Sequence, residues 1–196
     1  MAKKREIMVV LNNVRSNENV GSIFRTADAA GVSKIILCGY TPAPTDKFGR
    51  PNKGIAKAAL GAEKFVAWEK TESLKKYLKN LKNSFSEYSQ KCTDIFLLKN
   101  SSCSPQSGSQ GIFESTHSKN FLVIAIEQDK NSVDYKKIKK LIPKDKNLIL
   151  VFGNEVEGLS KKDLALCDLI AEIPMLGKKE SLNVSVSAGI VLFSLF

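Results

Sequence analysis

The chain has 196 residues, 43% hydrophobic and 26% charged, enough for one domain that buries a full core without disulfide or metal staples. Its 30 Lys/Arg against 20 Asp/Glu give a net charge of +10, which points to a polyanionic partner. The longest apolar runs, Phe121–Ile126 and Leu148–Phe152, are far short of the ~18 residues of a membrane-spanning helix. The N-terminus lacks a signal-peptide pattern, and four scattered cysteines without C-x-x-C fit reduced thiols, so the expectation is a cytoplasmic protein with no membrane contact and no metal.

In chain order, Ile7–Leu11 reads as a buried strand, followed by a loop and a helix over about Ser22–Ala30 that Gly31 ends. Lys34–Cys38 is the next strand. A Gly- and Pro-bearing loop leads to a short helix, IAKAAL, closed by Gly61, then a strand near Lys64–Ala67 and a helix near Glu72–Lys82. Residues 83–119 differ: 10 of these 37 residues are serine and only Ile95–Leu98 is strongly apolar, so the segment reads as an insertion in a single domain spanning 1–196. The pattern resumes with a strand at Phe121–Ile126, a lysine-rich helix at Tyr135–Leu141, strands at Leu148–Phe152 and Leu169–Ile173, and a final apolar helix at Leu182–Phe196. Strands alternating with helices predict an α/β fold, a mainly parallel sheet with helices on both faces.

The charge is uneven. Residues 1–82 carry 16 Lys/Arg and 7 Asp/Glu, whereas 120–196 carry 11 and 10. Such a basic half fits either a solvated face or a phosphate-tracking surface whose binding falls with salt. The usual nucleotide fingerprints are missing. No two glycines stand two residues apart, so G-x-G-x-x-G cannot occur, and the two P-loop spacings, Gly49–Gly54 and Gly153–Gly158, are followed by Ile55 and Leu159 where lysine is needed. The lone His117 lies in the serine-rich stretch and supports no histidine chemistry.

Three constellations remain. In Asn17–Gly31, Gly21 is placed at a strand-to-helix turn where backbone N–H groups favour an anion, Arg25 follows one helical turn later, and Asn19 is the natural helix cap. In Leu148–Ser160, a buried strand runs into Gly153-Asn154-Glu155, with Gly158 before a helix capped by Ser160; Glu155 is a polar anchor or a solvated acid. In Ile173–Phe193, a basic loop turns at Gly177, and Ser181 is placed as the N-cap with Asn183 in the first turn. Loops at the carboxyl ends of parallel strands meet at one sheet edge, the usual place for a site.

In order and spacing these segments resemble the motifs of the SpoU-type (TrmH-like) RNA ribose 2'-O-methyltransferases of the SPOUT superfamily. Asn19-Val20-Gly21-Ser22-Ile23-Phe24-Arg25-Thr26-Ala27 is similar to the first motif, Phe152-Gly153-Asn154-Glu155-Val156-Glu157-Gly158-Leu159 to the second, and Ile173-Pro174-Met175 with Ser181-Leu182-Asn183-Val184-Ser185 to the third. Lys53–Glu63 resembles the linker helix of the family. The resemblance implies a C-terminal deep trefoil knot, which fold physics alone makes rare, and a homodimer with the site at the subunit interface. It implies S-adenosylmethionine bound by the loops at Glu127, Gly153, Ile173, Met175, Ser181 and Leu182. It implies Asn19, Arg25, Glu155, Ser181 and Asn183 at the reaction site, and methyl transfer to a ribose 2'-hydroxyl of RNA, tRNA ahead of rRNA. A non-catalytic RNA-binding module is the alternative. Because a guanidinium stays protonated in proteins, Arg25 suits gripping a phosphate and polarising the hydroxyl better than acting as a simple base.

Overall fold

A computed structural model of the chain describes residues 5–81 and 121–195. The serine-rich segment expected as an insertion, with Ile95–Leu98, Cys92, Cys103 and His117, lies outside the described residues. Seven strands form one sheet: β1 (Ile7–Asn12), β2 (Lys34–Cys38), β3 (Ala67–Thr71), β4 (Phe121–Ile126), β5 (Val133–Asp134), β6 (Asn147–Phe152) and β7 (Leu169–Glu172). Their order is β3-β2-β1-β6-β4-β7-β5, and every pairing between them is parallel. The helices are α1 (Asn17–Ala29), α2 (Lys53–Ala59), α3 (74–81), α4 (Tyr135–Leu141), α5 (Lys161–Leu164) and α6 (Val184–Ser194).

The strand sequences are continuously apolar because both faces of the sheet are covered. Val9, Leu11, Ile35, Leu37, Ile124, Leu148, Leu150 and Phe152 pack on one face with Ile23 and Phe24 of α1, Ile55 of α2, Ile138 of α4 and Val191 of α6. Met8, Val10, Ile36, Val123, Ala125, Ile149 and Val151 pack on the other with Leu74, Tyr77 and Leu78 of α3 and with Leu159. Each large side chain so buried stabilises the fold by about 1.5–3 kcal/mol. Parallel pairing puts the carboxyl ends of β1, β4, β6 and β7 on one edge. The chain order reverses between β1 and β6, where an open sheet leaves a crevice for ligands.

Several boundaries depart from the sequence reading. Helix α1 begins at Asn17, not Ser22, because Ser16 is the N-cap and its hydroxyl accepts from the backbone N–H of Asn19 at 3.1 Å. Gly21 therefore does not sit at a turn facing an anion. It is buried inside α1, where a Cβ would stand 2.6 Å from the Ile55 carbonyl oxygen and 2.7 Å from the Ala58 Cβ, so glycine lets α1 and α2 approach closely. Ala62–Lys64 is a 3-10 turn and the strand follows it at Ala67–Thr71. Gly31 ends the first helical region in the left-handed conformation, φ 67°, as expected.

Candidate active site

The site is built from three loops at the carboxyl edge of the sheet. Phe152 ends β6 and is fully buried, which fixes the start of the loop Gly153–Gly158. Asn154, 7% exposed, organises that loop. Its Oδ1 accepts from the N–H groups of Val156 and Glu157 (2.8 and 2.9 Å), while its Nδ2 donates to the Asn13 carbonyl (2.9 Å) and the Tyr40 hydroxyl (2.6 Å). Gly153 packs so tightly against the returning loop that a Cβ would lie 2.5 Å from the Gly158 carbonyl carbon. A side chain at Gly158 would run into the Glu127 carboxylate, which accepts from the Leu159 N–H at 2.9 Å.

This packing aims Glu155 at the start of α1. Its carboxylate accepts from the N–H of Arg15 (2.9 Å), the N–H of Ser16 (3.0 Å) and the Asn19 Nδ2 (3.0 Å). Partial burial opposes ionisation of Glu155, but these donors outweigh it and hold the carboxyl below the usual glutamate value. Asn19 Oδ1 in turn accepts from Asn183 Nδ2 at 3.0 Å. Asn183, not Ser181, is the N-cap of α6, and its Oδ1 accepts from the Ser185 N–H at 2.8 Å. Ser181 stands two residues earlier, exposed on the loop. An unbroken hydrogen-bonded relay thus runs Asn183–Asn19–Glu155 and ties together the three segments singled out in the sequence.

Beside the relay is a cavity of about 180 Å³. Its lining includes Glu127, Gly153, Ile173, Met175, Ser181 and Leu182, the six residues expected to hold a cofactor, and Glu155 with them. Gln128 Nε2 donates to the Glu180 carbonyl at 2.6 Å, joining the loop after β4 to the loop after β7. The cavity has a mixed wall. Ile126, Phe152, Ile173, Met175 and Leu182 are apolar, and the lining also counts four acidic residues, Glu127, Glu155, Glu172 and Glu180, and no Lys or Arg. A cationic, partly apolar ligand suits that wall and a polyphosphate does not.

Arg25 stands apart. It is exposed on α1, outside the cavity, with no ion-pair partner among the described residues. Six helical residues separate it from Asn19, about 9 Å along the axis and on a different side. Sequence reasoning missed Ser16 and Arg15, whose backbone donors fix Glu155, and Asn154, which shapes the loop. For Ser16 and Asn154 a signal was present: a serine three residues before Asn19, and an asparagine placed to cap the backbone N–H groups two and three residues on. Nothing in the sequence marks a backbone donor such as that of Arg15. Among the described residues no group of three or more His, Cys, Asp or Glu could hold a metal ion, and no helix is long and apolar enough to cross a membrane.

Comparison with known proteins fits this geometry. A family model described as the SpoU rRNA Methylase family matches residues 6–102 and 107–193. A tRNA (guanosine(18)-2'-O)-methyltransferase of Aquifex aeolicus (strain VF5) is 27% identical over 191 residues, covering 97% of this chain and 69% of that protein. The crystal structure of an AdoMet-bound rRNA methyltransferase from Sinorhizobium meliloti superposes with a TM-score of 0.65 at 27% identity, over 100% of this chain and 57% of that one. That of the A. aeolicus TrmH/SpoU tRNA modifying enzyme gives 0.66 at 25% identity, over 98% and 74%. The chain spans 58% of the length of a TrmH-family relative from Staphylococcus aureus (strain COL), at 26% identity. With a model match along nearly its whole length and an all-parallel sheet that superposes on solved relatives, the chain belongs to the SpoU rRNA methylase family.

Proposed function

We propose that this protein transfers a methyl group from S-adenosylmethionine to a ribose 2'-hydroxyl of structured RNA, with tRNA ahead of rRNA. The observation that carries the reading is the Asn183–Asn19–Glu155 relay beside a carboxylate-lined cavity. The tRNA and rRNA methyltransferases to which the chain is similar, one of them with AdoMet bound, support it. When bound, S-adenosylmethionine supplies an electrophilic methyl group on a sulfonium sulfur. Its net positive charge suits Glu127, Glu172 and Glu180, and its apolar parts suit Ile173, Met175 and Leu182. Gly153, which has only backbone to offer, and Ser181 line the same space, which fits adenine recognition without a glycine-rich phosphate loop.

The chain's own contribution is positioning, and alignment of reacting groups is worth effective molarities of ~10⁵ M or more. Glu155, which lines the cavity, fixes Asn19, and Asn19 fixes Asn183, so two amides are held in set orientations next to it. Arg25, a five-donor fork, would grip an RNA phosphate and polarise the 2'-hydroxyl, whose proton would leave late, by way of that phosphate or water, as the methyl passes from sulfur to oxygen and the C–S bond of the sulfonium breaks to a neutral thioether. Arg25 lies outside the cavity of its own chain, which supports a homodimer in which one subunit's arginine serves the other's cofactor. The exposed apolar side chains of α6, Val186 (49% exposed) and Phe193 (57%), support the same assembly. The trefoil knot belongs to this proposal too, supported by the contacts of the β4 loop with the loops after β6 and β7.

Calorimetry with S-adenosylmethionine and transfer of labelled methyl to RNA from cells lacking the gene test the reading. Arg25→Ala should abolish transfer and leave cofactor affinity unchanged, and Arg25→Lys should recover little of it. Tight cofactor binding with no transfer to any RNA would instead favour a non-catalytic RNA-binding module.

A further inference from the structure

We propose that the loop between β2 and α2, residues 39–52, is a stacking platform for single-stranded nucleotides next to the ribose that is methylated. This rests on the RNA reading above and adds where, and in what form, the RNA is held. Two aromatic rings are held out in solvent on this loop, Tyr40 at 52% exposure and Phe48 at 67%. Each is accompanied by cations. Arg15 Cζ lies 5.7 Å from the Tyr40 ring centroid, and Lys47 Nζ and Arg50 Cζ lie 5.0 and 4.9 Å from that of Phe48.

The loop is ordered before any ligand arrives. Asp46 Oδ1 accepts from the N–H groups of Phe48 and Arg50 (2.8 and 2.9 Å), and the Asp46 N–H donates to the Arg50 carbonyl (2.9 Å). Asn52 N–H donates to the Pro44 carbonyl (2.8 Å), and Lys70 Nζ holds the carbonyls of Gly39 and Thr41. The only acid of the loop, Asp46, also pairs through Oδ2 with Arg50 Nε at 3.2 Å, which closes the turn and holds that guanidinium beside Phe48, while Lys47 has no ion-pair partner among the described residues. An open groove of about 500 Å³ runs past Tyr40, Arg50, Asn52 and Lys70.

The platform is continuous with the site. The Tyr40 hydroxyl accepts from Asn154, and the Arg15 N–H donates to Glu155. A nucleotide stacked on Tyr40 therefore neighbours the relay. Aromatic faces flanked by guanidinium and ammonium groups match unpaired bases joined by phosphates, whereas a duplex keeps its base faces closed. An apolar protein surface would find three cations around these rings.

The test is fluorescence anisotropy of the full chain with a labelled short oligouridine and with an RNA duplex of equal length. Phe48→Ala should weaken oligouridine binding about tenfold, leave duplex binding unchanged, and leave S-adenosylmethionine uptake unchanged; Phe48→Trp should restore the oligouridine affinity. Tyr40→Phe should keep that affinity and Tyr40→Leu should lose it. Wild-type oligouridine binding by Phe48→Ala and Tyr40→Leu overturns the platform, as does equal loss on the duplex or a change only in self-association. Failure of the wild type to take up S-adenosylmethionine would count against methyl transfer and not against the platform, which the oligouridine measurement reads by itself.

Discussion

Glu155 shows how one side chain can organise a site. A solvated acid on a loop would carry an ordinary pKa and no fixed direction, but here two backbone N–H groups and one amide converge on its two oxygens. Its folded pKa lies below the ordinary 4.5, so the stability it contributes is complete above pH 4.5 and is lost as pH falls through the lower folded value. Glu155→Ala leaves the donors of Arg15, Ser16 and Asn19 without their acceptor, a loss of roughly 1–3 kcal/mol. Thermal melts should show the variant a few degrees below the wild type at neutral pH, with the gap closing in acid. A gap independent of pH would mean that the carboxylate is not the group that matters. The sequence offered glutamate at a strand end and no way to see its donors, because they come from residues about 140 positions away.

At the scale of elements, the decisive contest is at Gly21. Replacing a mid-helix glycine by alanine ordinarily gains about 0.5–1 kcal/mol. In α1 the added Cβ would meet the Ile55 carbonyl at 2.6 Å and the Ala58 Cβ at 2.7 Å, and forcing α1 from α2 costs typically 1–3 kcal/mol. Gly21→Ala should therefore lower the denaturation midpoint, and a rise would show that the helices part freely. The apolar strands Lys34–Cys38 and Phe121–Ile126, whose runs end sharply, and the lysine-rich helix Tyr135–Leu141, closed before Pro143, stand where expected. The edge strand Ala67–Thr71 stands beyond the expected Lys64–Ala67 because its sequence, AWEKT, carries no apolar run and leaves no fully buried residue to mark it. Val133–Asp134 is too short for any periodicity. The starts of α1 and α6 were misplaced for one reason: several adjacent polar residues could cap, and only tertiary contacts choose Ser16 and Asn183.

The whole molecule divides its labour by charge. The strongly basic first 82 residues hold Arg15, Arg25, Lys47 and Arg50, while the cavity draws its four carboxylates from the nearly neutral second part. In the proposed reaction a cationic donor and a polyanionic acceptor would be drawn to different surfaces, which keeps RNA phosphates out of the cavity. The two surfaces must still meet. On α6, Val186, Ile190 and Phe193 fall at i, i+4 and i+7, one face of the helix, with Val186 and Phe193 exposed. In the proposed dimer this stripe would face its own copy across the two-fold axis, and Arg25 would reach its partner's cavity. Two consequences separate that assembly from a monomer acting alone. Phe193→Glu should sediment as a monomer, keep its fold, and lose methyl transfer. Arg25→Ala and Gly153→Ala, one lacking the arginine and the other unable to close the loop against Gly158, should each be inactive, yet regain transfer when mixed and allowed to exchange subunits, because one site of each mixed dimer then has both parts intact. If the mixture stays inactive while exchange is verified, Arg25 serves its own subunit and the division of labour lies within a single chain.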